Sequence, residues 1–161
     1  ADLRMTLEEV KQENKESDGD PHIKGERRRK QRELSRGRML SAVPTADVVV
    51  SNPTHYAVAL KYDEATMAAP RIVAIGADHL ALKIREIARA SNVTMLESPP
   101  LARALYQHGD LGQEIPAALY TAVAQLLAYV FQLRKDVRPP QPPVIEVPEG
   151  LDPLFPTDKA S

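Results

Sequence analysis

This sequence of 161 residues contains no cysteine. Disulfide frameworks, cysteine-held metals and thiol catalysis are thereby excluded, and the composition suits a reducing compartment. No apolar run approaches the roughly 20 residues that a membrane-spanning helix needs, and the N-terminus lacks the zones of a signal peptide, so the chain is expected to be soluble. Aromatic residues are scarce, at 4%. None lies in the basic run over residues 24–38, which removes the stacking platform of a single-stranded nucleic-acid binder. His22, His55, His79 and His108 occupy separate local settings with no ligand spacing, so neither a metal nor a cofactor is expected.

What is present is one domain's worth of apolar residue plus extensions. With 43% hydrophobic and 27% charged residues, the chain suits one globular domain of about 100 to 150 residues. The net charge of -1 hides a local asymmetry. Lys24, Arg27, Arg28, Arg29, Lys30, Arg32, Arg36 and Arg38 are opposed in their stretch only by Glu26 and Glu33. Residues 1–40 are therefore expected to form a charged connector, with weak helical spacing at Leu3, Leu7 and Val10 and a breaker cluster at Ser17-Asp18-Gly19-Asp20-Pro21. The basic run fits a solvated or membrane-adjacent connector better than a nucleic-acid site. Residues 41–137 form the expected globular domain, and residues 138–161, rich in proline with little to bury, an extended and disordered tail.

Within the domain the pattern predicts an α/β fold: a small four-stranded mixed sheet surrounded by helices. Asp47–Ser51 and Tyr56–Tyr62 read as strands rich in Val and Tyr. Arg71–Ile75 reads as a third strand closed by Gly76, and Asp78 as the cap of a helix with an apolar face at Leu80, Ile84 and Ile87. Arg85 and Arg89 fall mainly on its water side. Val93–Leu96 completes a strand–helix–strand unit, which needs a crossover helix on the sheet face. Ser98 before Pro99 predicts a capped helix start. Glu114-Ile115-Pro116 is expected to open the last helix, with its buried stripe at Leu119, Val123, Leu126, Leu127 and Val130.

Between the first two strands stands Asn52-Pro53-Thr54-His55. Proline has no backbone N–H, so the main-chain nitrogen after Asn52 cannot attack the Asn52 side chain. The reverse attack stays open. The Asn52 side-chain nitrogen can add to its own main-chain carbonyl, closing a succinimide and expelling the Pro53 nitrogen. A residue before proline is pushed toward extended geometry, and a reacting group held in place gains an effective molarity of about 10⁵ to 10⁸ M. The oxyanion, the attacking amide and the leaving nitrogen each need help. Thr54 offers a hydroxyl and a backbone N–H. His55, which titrates near neutrality, stands either as a base or as a geometric prop. Asn-Pro is also an ordinary turn dipeptide, so these four residues alone also fit a plain turn.

The surrounding blocks add a resemblance. Asn52-Pro53-Thr54-His55 between its Val-rich and Tyr-containing strands, Gly19-Asp20-Pro21 with the following Arg run, Ala69-Pro70, Gly76-Ala77-Asp78, Glu97-Ser98-Pro99-Pro100-Leu101 and Ile115-Pro116 occur in an order that resembles the cytoplasmic domain of the FlhB/YscU export-apparatus family. The likeness covers most of residues 1–135, and Ala128-Tyr129-Val130-Phe131 is most similar to the flagellar branch. It implies the cytoplasmic domain of a bacterial inner-membrane protein whose transmembrane part is missing from the sequence. It implies a type III export component that cuts itself once between Asn52 and Pro53, keeps its fragments together and switches export from rod and hook proteins to filament proteins. Asn52 is then the attacking residue, Pro53 the new N-terminus, and Thr54 and His55 the supporting groups. The implied partners are exported rod- and hook-type proteins, a hook-length control protein and other export-gate components, with no nucleic acid. A separate expectation is that Ala69, Pro70, Ala124 and Leu127 form an apolar docking patch for export substrates; ordinary packing of small residues is the alternative. A non-catalytic docking module is the competing function.

Overall fold

Proline just inside a helix start costs no hydrogen bond, because the first N–H groups have no intrahelical partner. That is the setting of Pro21 at the head of α1 (Pro21–Ala42). Asp20 caps it: its side chain accepts from the His22 N–H at 2.9 Å, and its carbonyl from the Lys24 N–H at 3.0 Å. The structure, a computed structural model, describes residues 20–135 and 142–154. The helical spacing expected at Leu3, Leu7 and Val10 lies outside the described residues. Two units divide the chain, residues 1–38 and 39–161. In the first, the described residues form an exposed helix with surface pairs such as His22–Glu26 at 3.4 Å.

The second unit is built on a sheet of order β3-β2-β1-β4, with β1 (Val48–Asn52), β2 (Tyr56–Lys61), β3 (Arg71–Ala77) and β4 (Thr94–Glu97). β1 pairs antiparallel with β2 and parallel with β4, and β2 pairs antiparallel with β3. The run Val48-Val49-Val50 shows no polar alternation because β1 is central and covered on both faces. Val48 and Val50 join Val58, Leu60 and Ile72 beneath α3 (Pro99–His108) and α4 (Tyr120–Lys135). Val49 faces the other way, with Ala57, Ala59 and Ala74, toward α2 (Asp78–Ala90), Met39 and Val43. Small residues on that face let α2 lie close.

The expected crossover exists, but its strands are not neighbours. β3 and β4 are the two edges, and α2 passes over the β1–β2 hairpin between them. A helix of 13 residues reaches about 20 Å, enough to cross three strand spacings of about 4.8 Å each. β3 runs through Gly76 to Ala77 instead of closing at Gly76. Gly76 is required by a close approach: a Cβ there would stand 2.7 Å from Leu80 Cγ. Asp78 is not a side-chain cap; Ala77 holds the cap position and Asp78 is the first helical residue, at φ 51°. Ser98 does occupy its cap position, but through its carbonyl, which accepts the Ala102 N–H at 2.8 Å, and not through its hydroxyl. The last helix is preceded by a 3-10 turn at Ala117–Leu119, so Pro116 opens that turn.

Residues 142–154 have no regular structure, as their proline content predicts, yet they are anchored. Ile145, Val147 and Leu151 pack on the α3/α4 side of the core. Asp152 makes a two-point ion pair with Arg103 of α3, at 2.7 and 2.8 Å, with the side chains only 10% and 13% exposed. Its carboxylate also accepts the Leu154 N–H at 3.1 Å. This strap needed a charge partner far away in sequence, which composition does not reveal. The remaining tail positions, 138–141 and 155–161, lie outside the described residues.

Candidate functional site

Asn52, Pro53, Thr54 and His55 form one tight turn, with Asn52 and Tyr56 as the last register pair of the β1–β2 hairpin. The His55 N–H donates to the Asn52 carbonyl at 2.9 Å. Thr54, the third residue of the turn, sits at φ 74°. Proline second and a left-handed third residue define a type II turn, in which that third position favours glycine. A threonine held there carries strain of about 1 to 3 kcal/mol. The hairpin enforces it from both sides, and the His55 carbonyl is itself held by the Asp78 N–H at 2.8 Å. Asp78 therefore serves the corner through its backbone. Asn52 and Pro53 are half-buried, whereas Thr54 and His55 are exposed.

One donor is aimed at the Asn52 carbonyl oxygen. Attack on the Asn52 carbonyl places negative charge on its oxygen, and preorganised N–H donors within about 2.7 to 3.1 Å stabilise such an oxyanion. Thr54, with its hydroxyl and N–H, stands in the same turn, and the His55 N–H reaches the Asn52 carbonyl oxygen because a type II turn closes between its first and fourth residues. No residue type signals a backbone donor, so only the turn geometry reveals it. Tyr56, next in the chain, stacks on Tyr106 of α3 at 4.4 Å, which pins the far side of the corner to the core.

Ala69, Pro70, Ala124 and Leu127 come together at the other end of the hairpin. They line a groove of about 710 Å³ with Tyr62, Tyr120, Ala128 and Phe131, rimmed by Asp47, Asp63 and Glu64. Ala69 and Leu127 are buried in its floor, and Ala124 is exposed. The Ile115 N–H donates to the Pro70 carbonyl at 2.9 Å, holding the Ala69-Pro70 segment beside the start of α4. Asp47 braces the rim: it accepts the Tyr62 N–H at 2.7 Å and pairs with Arg134 of α4 at 3.2 Å. The groove and the corner lie at opposite ends of β1, about 17 Å apart at strand spacing. They are two sites.

Arg103 and Asp152 were not singled out by sequence. Hydrogen bonding to Arg103 holds the Asp152 carboxyl below the usual carboxylate range, against the opposing effect of burial. Arg103 is raised in turn, chiefly by its hydrogen bond with Asp152. Among the described residues no group of three or more His, Cys, Asp or Glu is placed to hold a metal.

Comparison with known proteins agrees with this architecture. Residues 1–130 match the model of the FlhB HrpN YscU SpaS Family. The chain is 54% identical over 155 residues to the flagellar biosynthetic protein FlhB of Salmonella typhimurium, covering 93% of this chain and 40% of that protein. It is 50% identical over 135 residues to FlhB of Bacillus subtilis, covering 84% of this chain and 38% of the relative. It thus spans about 40% of the length of these relatives. The crystal structure of the cytoplasmic domain of FlhB from Shewanella putrefaciens superposes with a TM-score of 0.67 at 48% identity, over 73% of this chain and 95% of that one. A mutated EscU C-terminal domain matches with a TM-score of 0.56 at 31% identity, over 63% of this chain and 97% of the other. A hairpin with an Asn-Pro corner, a crossover helix spanning the sheet and matches over most of its length together place the chain in the FlhB/HrpN/YscU/SpaS family.

Proposed function

We propose that this chain is the cytoplasmic part of a flagellar type III export-gate component, anchored in a bacterial inner membrane by a region outside this sequence. In this reading it cuts itself once between Asn52 and Pro53, and the cut switches export from rod and hook proteins to filament proteins. The observation that carries it is the 2.9 Å bond from the His55 N–H to the Asn52 carbonyl in a strained turn. The Asn52 side-chain nitrogen forms a bond to its own main-chain carbon as the carbon–nitrogen bond to Pro53 breaks. One proton passes from the attacking amide to the leaving Pro53 nitrogen. The products are a C-terminal succinimide at residue 52 and a new N-terminus at Pro53.

The hairpin supports both halves of this role. Its strands hold Asn52 in the extended region that attack requires, and they keep each fragment hydrogen-bonded to the sheet afterwards. His55 is exposed, which suits a proton exchanged through water. The reaction is a single intramolecular turnover, so the protein is its own substrate. Intact mass under denaturing conditions tests it: wild-type protein should give two fragments, the second beginning at Pro53, and Asn52→Ala one. A wild-type chain still whole after long incubation would sink the reading.

The groove favours a second activity beside the first. Its apolar lining at Ala69, Pro70, Ala124 and Leu127 and its acidic rim suit docking of exported rod- and hook-type subunits; a hook-length control protein and other gate components are the further partners of this reading. Ala124→Asp, at an exposed position, should weaken subunit binding in titration calorimetry while the cut proceeds normally. Equal binding by both proteins would leave the groove as ordinary packing.

A further inference from the structure

The sheet face turned toward α2 carries a second feature at the corner. Alternation along β1 turns Ser51 to the same side as Val49, and their register partners on β4, Glu97 and Met95, share that side. Arg85 and Arg89 stand one helical turn apart on α2 above them. These residues and Pro53 line a small groove of about 170 Å³. Ser51, 8% exposed, is its floor. The Ser98 N–H donates to the Ser51 carbonyl at 3.0 Å, which fixes the end of β4, and Glu97 with it, beside the turn.

The groove brings two guanidinium groups and one carboxylate together, and none of the three is ion-paired to another described residue. Cutting at Asn52–Pro53 changes the charge at its mouth. The freed Pro53 nitrogen is a secondary amine, protonated at neutral pH. Water then opens the succinimide at either carbonyl, and both openings leave one carboxylate and one amide on residue 52. The balance is one water consumed, one ammonium and one carboxylate made.

We propose that this groove is a clasp for the two new chain ends: Glu97 receives the Pro53 ammonium, and Arg85 with Arg89 receives the carboxylate formed at residue 52. The inference rests on the self-cleavage reading and deepens it, since it assigns residues that act after the cut. The clasp keeps the opened turn on the sheet and sets which surface the cut domain presents. The charged and titratable groups around the new amine are Glu97 on β4, Arg85 and Arg89 on α2, Asp78 at the start of α2 and His55 in the turn itself. Because the groove is open to solvent, added salt weakens the clasp.

The test uses the cut wild-type chain with labelled proline, following the Pro53 carbon shifts through a pH titration by NMR. The Pro53 amine should titrate higher than in a free peptide beginning Pro-Thr-His. Glu97→Gln should lower it by about one unit, a tenfold loss of proton affinity, and Glu97→Asp should restore most of the shift. Arg85→Gln with Arg89→Gln should raise the titration of the residue-52 carboxylate by about one unit. All variants should be cut at a rate within about twofold of wild type, which separates the clasp from a structural role. A Pro53 amine that titrates as in the free peptide and ignores Glu97→Gln overturns the clasp, as does a shift produced by Asp78→Asn instead. Intact mass is read first: an uncut chain defeats the self-cleavage reading, whereas a cut chain with an unshifted amine defeats the clasp alone.

Discussion

The Asn52–His55 corner and the strap over residues 142–154 approach the stacked pair Tyr56–Tyr106 from different parts of the chain, and they are held by different means. Tyr56 follows the corner directly, and its stacking partner Tyr106 shares α3 with Arg103, the residue that Asp152 of the strap holds. The corner is held by backbone: two hydrogen bonds of 2.9 and 2.8 Å and a threonine at φ 74°. The strap is held by side chains: a two-point ion pair and three apolar anchors, Ile145, Val147 and Leu151. Backbone restraint stores strain and aims a donor, whereas side-chain restraint stores stability. A reaction needs the first and a covering segment needs the second.

The largest expected effect separates them completely. Asn52→Ala should abolish the cut, measured by mass over days, while the melting temperature of the uncut domain stays within a few degrees, because a half-buried turn side chain contributes little to the core. Asp152→Ala should do the opposite. It leaves Arg103 without its partner in a covered but near-surface position, at a cost of about 2 kcal/mol, below the 3 to 5 kcal/mol of a deep pair. Urea unfolding should show that loss and proteolysis after residue 142 should accelerate, with the cutting rate unchanged. A slowed cut in this variant would mean that strap and corner are one device.

The same strap gives a pH signature. Asp152 is held below its unfolded value by the Arg103 hydrogen bond, so its contribution is complete above the ordinary carboxylate value of about 3.9. It is lost as pH falls from there through the lowered folded value. Asp152→Ala should therefore flatten the acid limb of the stability curve relative to wild type. Gly76→Ala is a smaller and less selective probe. Its Cβ would meet Leu80 Cγ at 2.7 Å, and since Gly76 pairs with Ala57 beside the corner, the variant should lose about 1 to 2 kcal/mol and also slow the cut. Glu26→Gln, which removes exposed pairs to His22 and Arg29 on α1, should change stability by less than about 0.5 kcal/mol and leave both regions untouched.

Much of this was legible along the chain because the signals are local. Val48–Val50 and Tyr56–Leu60 announce strands by composition. Asn52-Pro53 announces a turn, and the stripe from Val123 to Val130 announces the buried face of α4. Ala69, Pro70, Ala124 and Leu127, expected together as an apolar patch, line one groove, with Ala69 and Leu127 buried and Ala124 exposed. Asp78 misled because an acidic residue before an apolar helix looks like a cap; here its N–H, bonded to the His55 carbonyl, matters instead. Gly76 misled because glycine usually ends a strand, whereas here it admits Leu80. The anchoring of 142–154 was invisible because Arg103 and Asp152 are 49 residues apart.

The sequence by itself determined which route of attack is open at the Asn52–Pro53 bond. Proline removes the competing backbone nucleophile at Asn52 whatever the fold, and the run of covalent chemistry open to that bond follows from residue identity alone. Tertiary structure decided how the corner is held and what surrounds it. The His55 N–H meets the Asn52 carbonyl only because two strands close the turn, and Glu97, Arg85 and Arg89 gather beside Pro53 only because β4 pairs with β1 while α2 crosses the sheet. Those are contacts between distant segments, fixed by burial on both faces of β1, and no local pattern of residues encodes them.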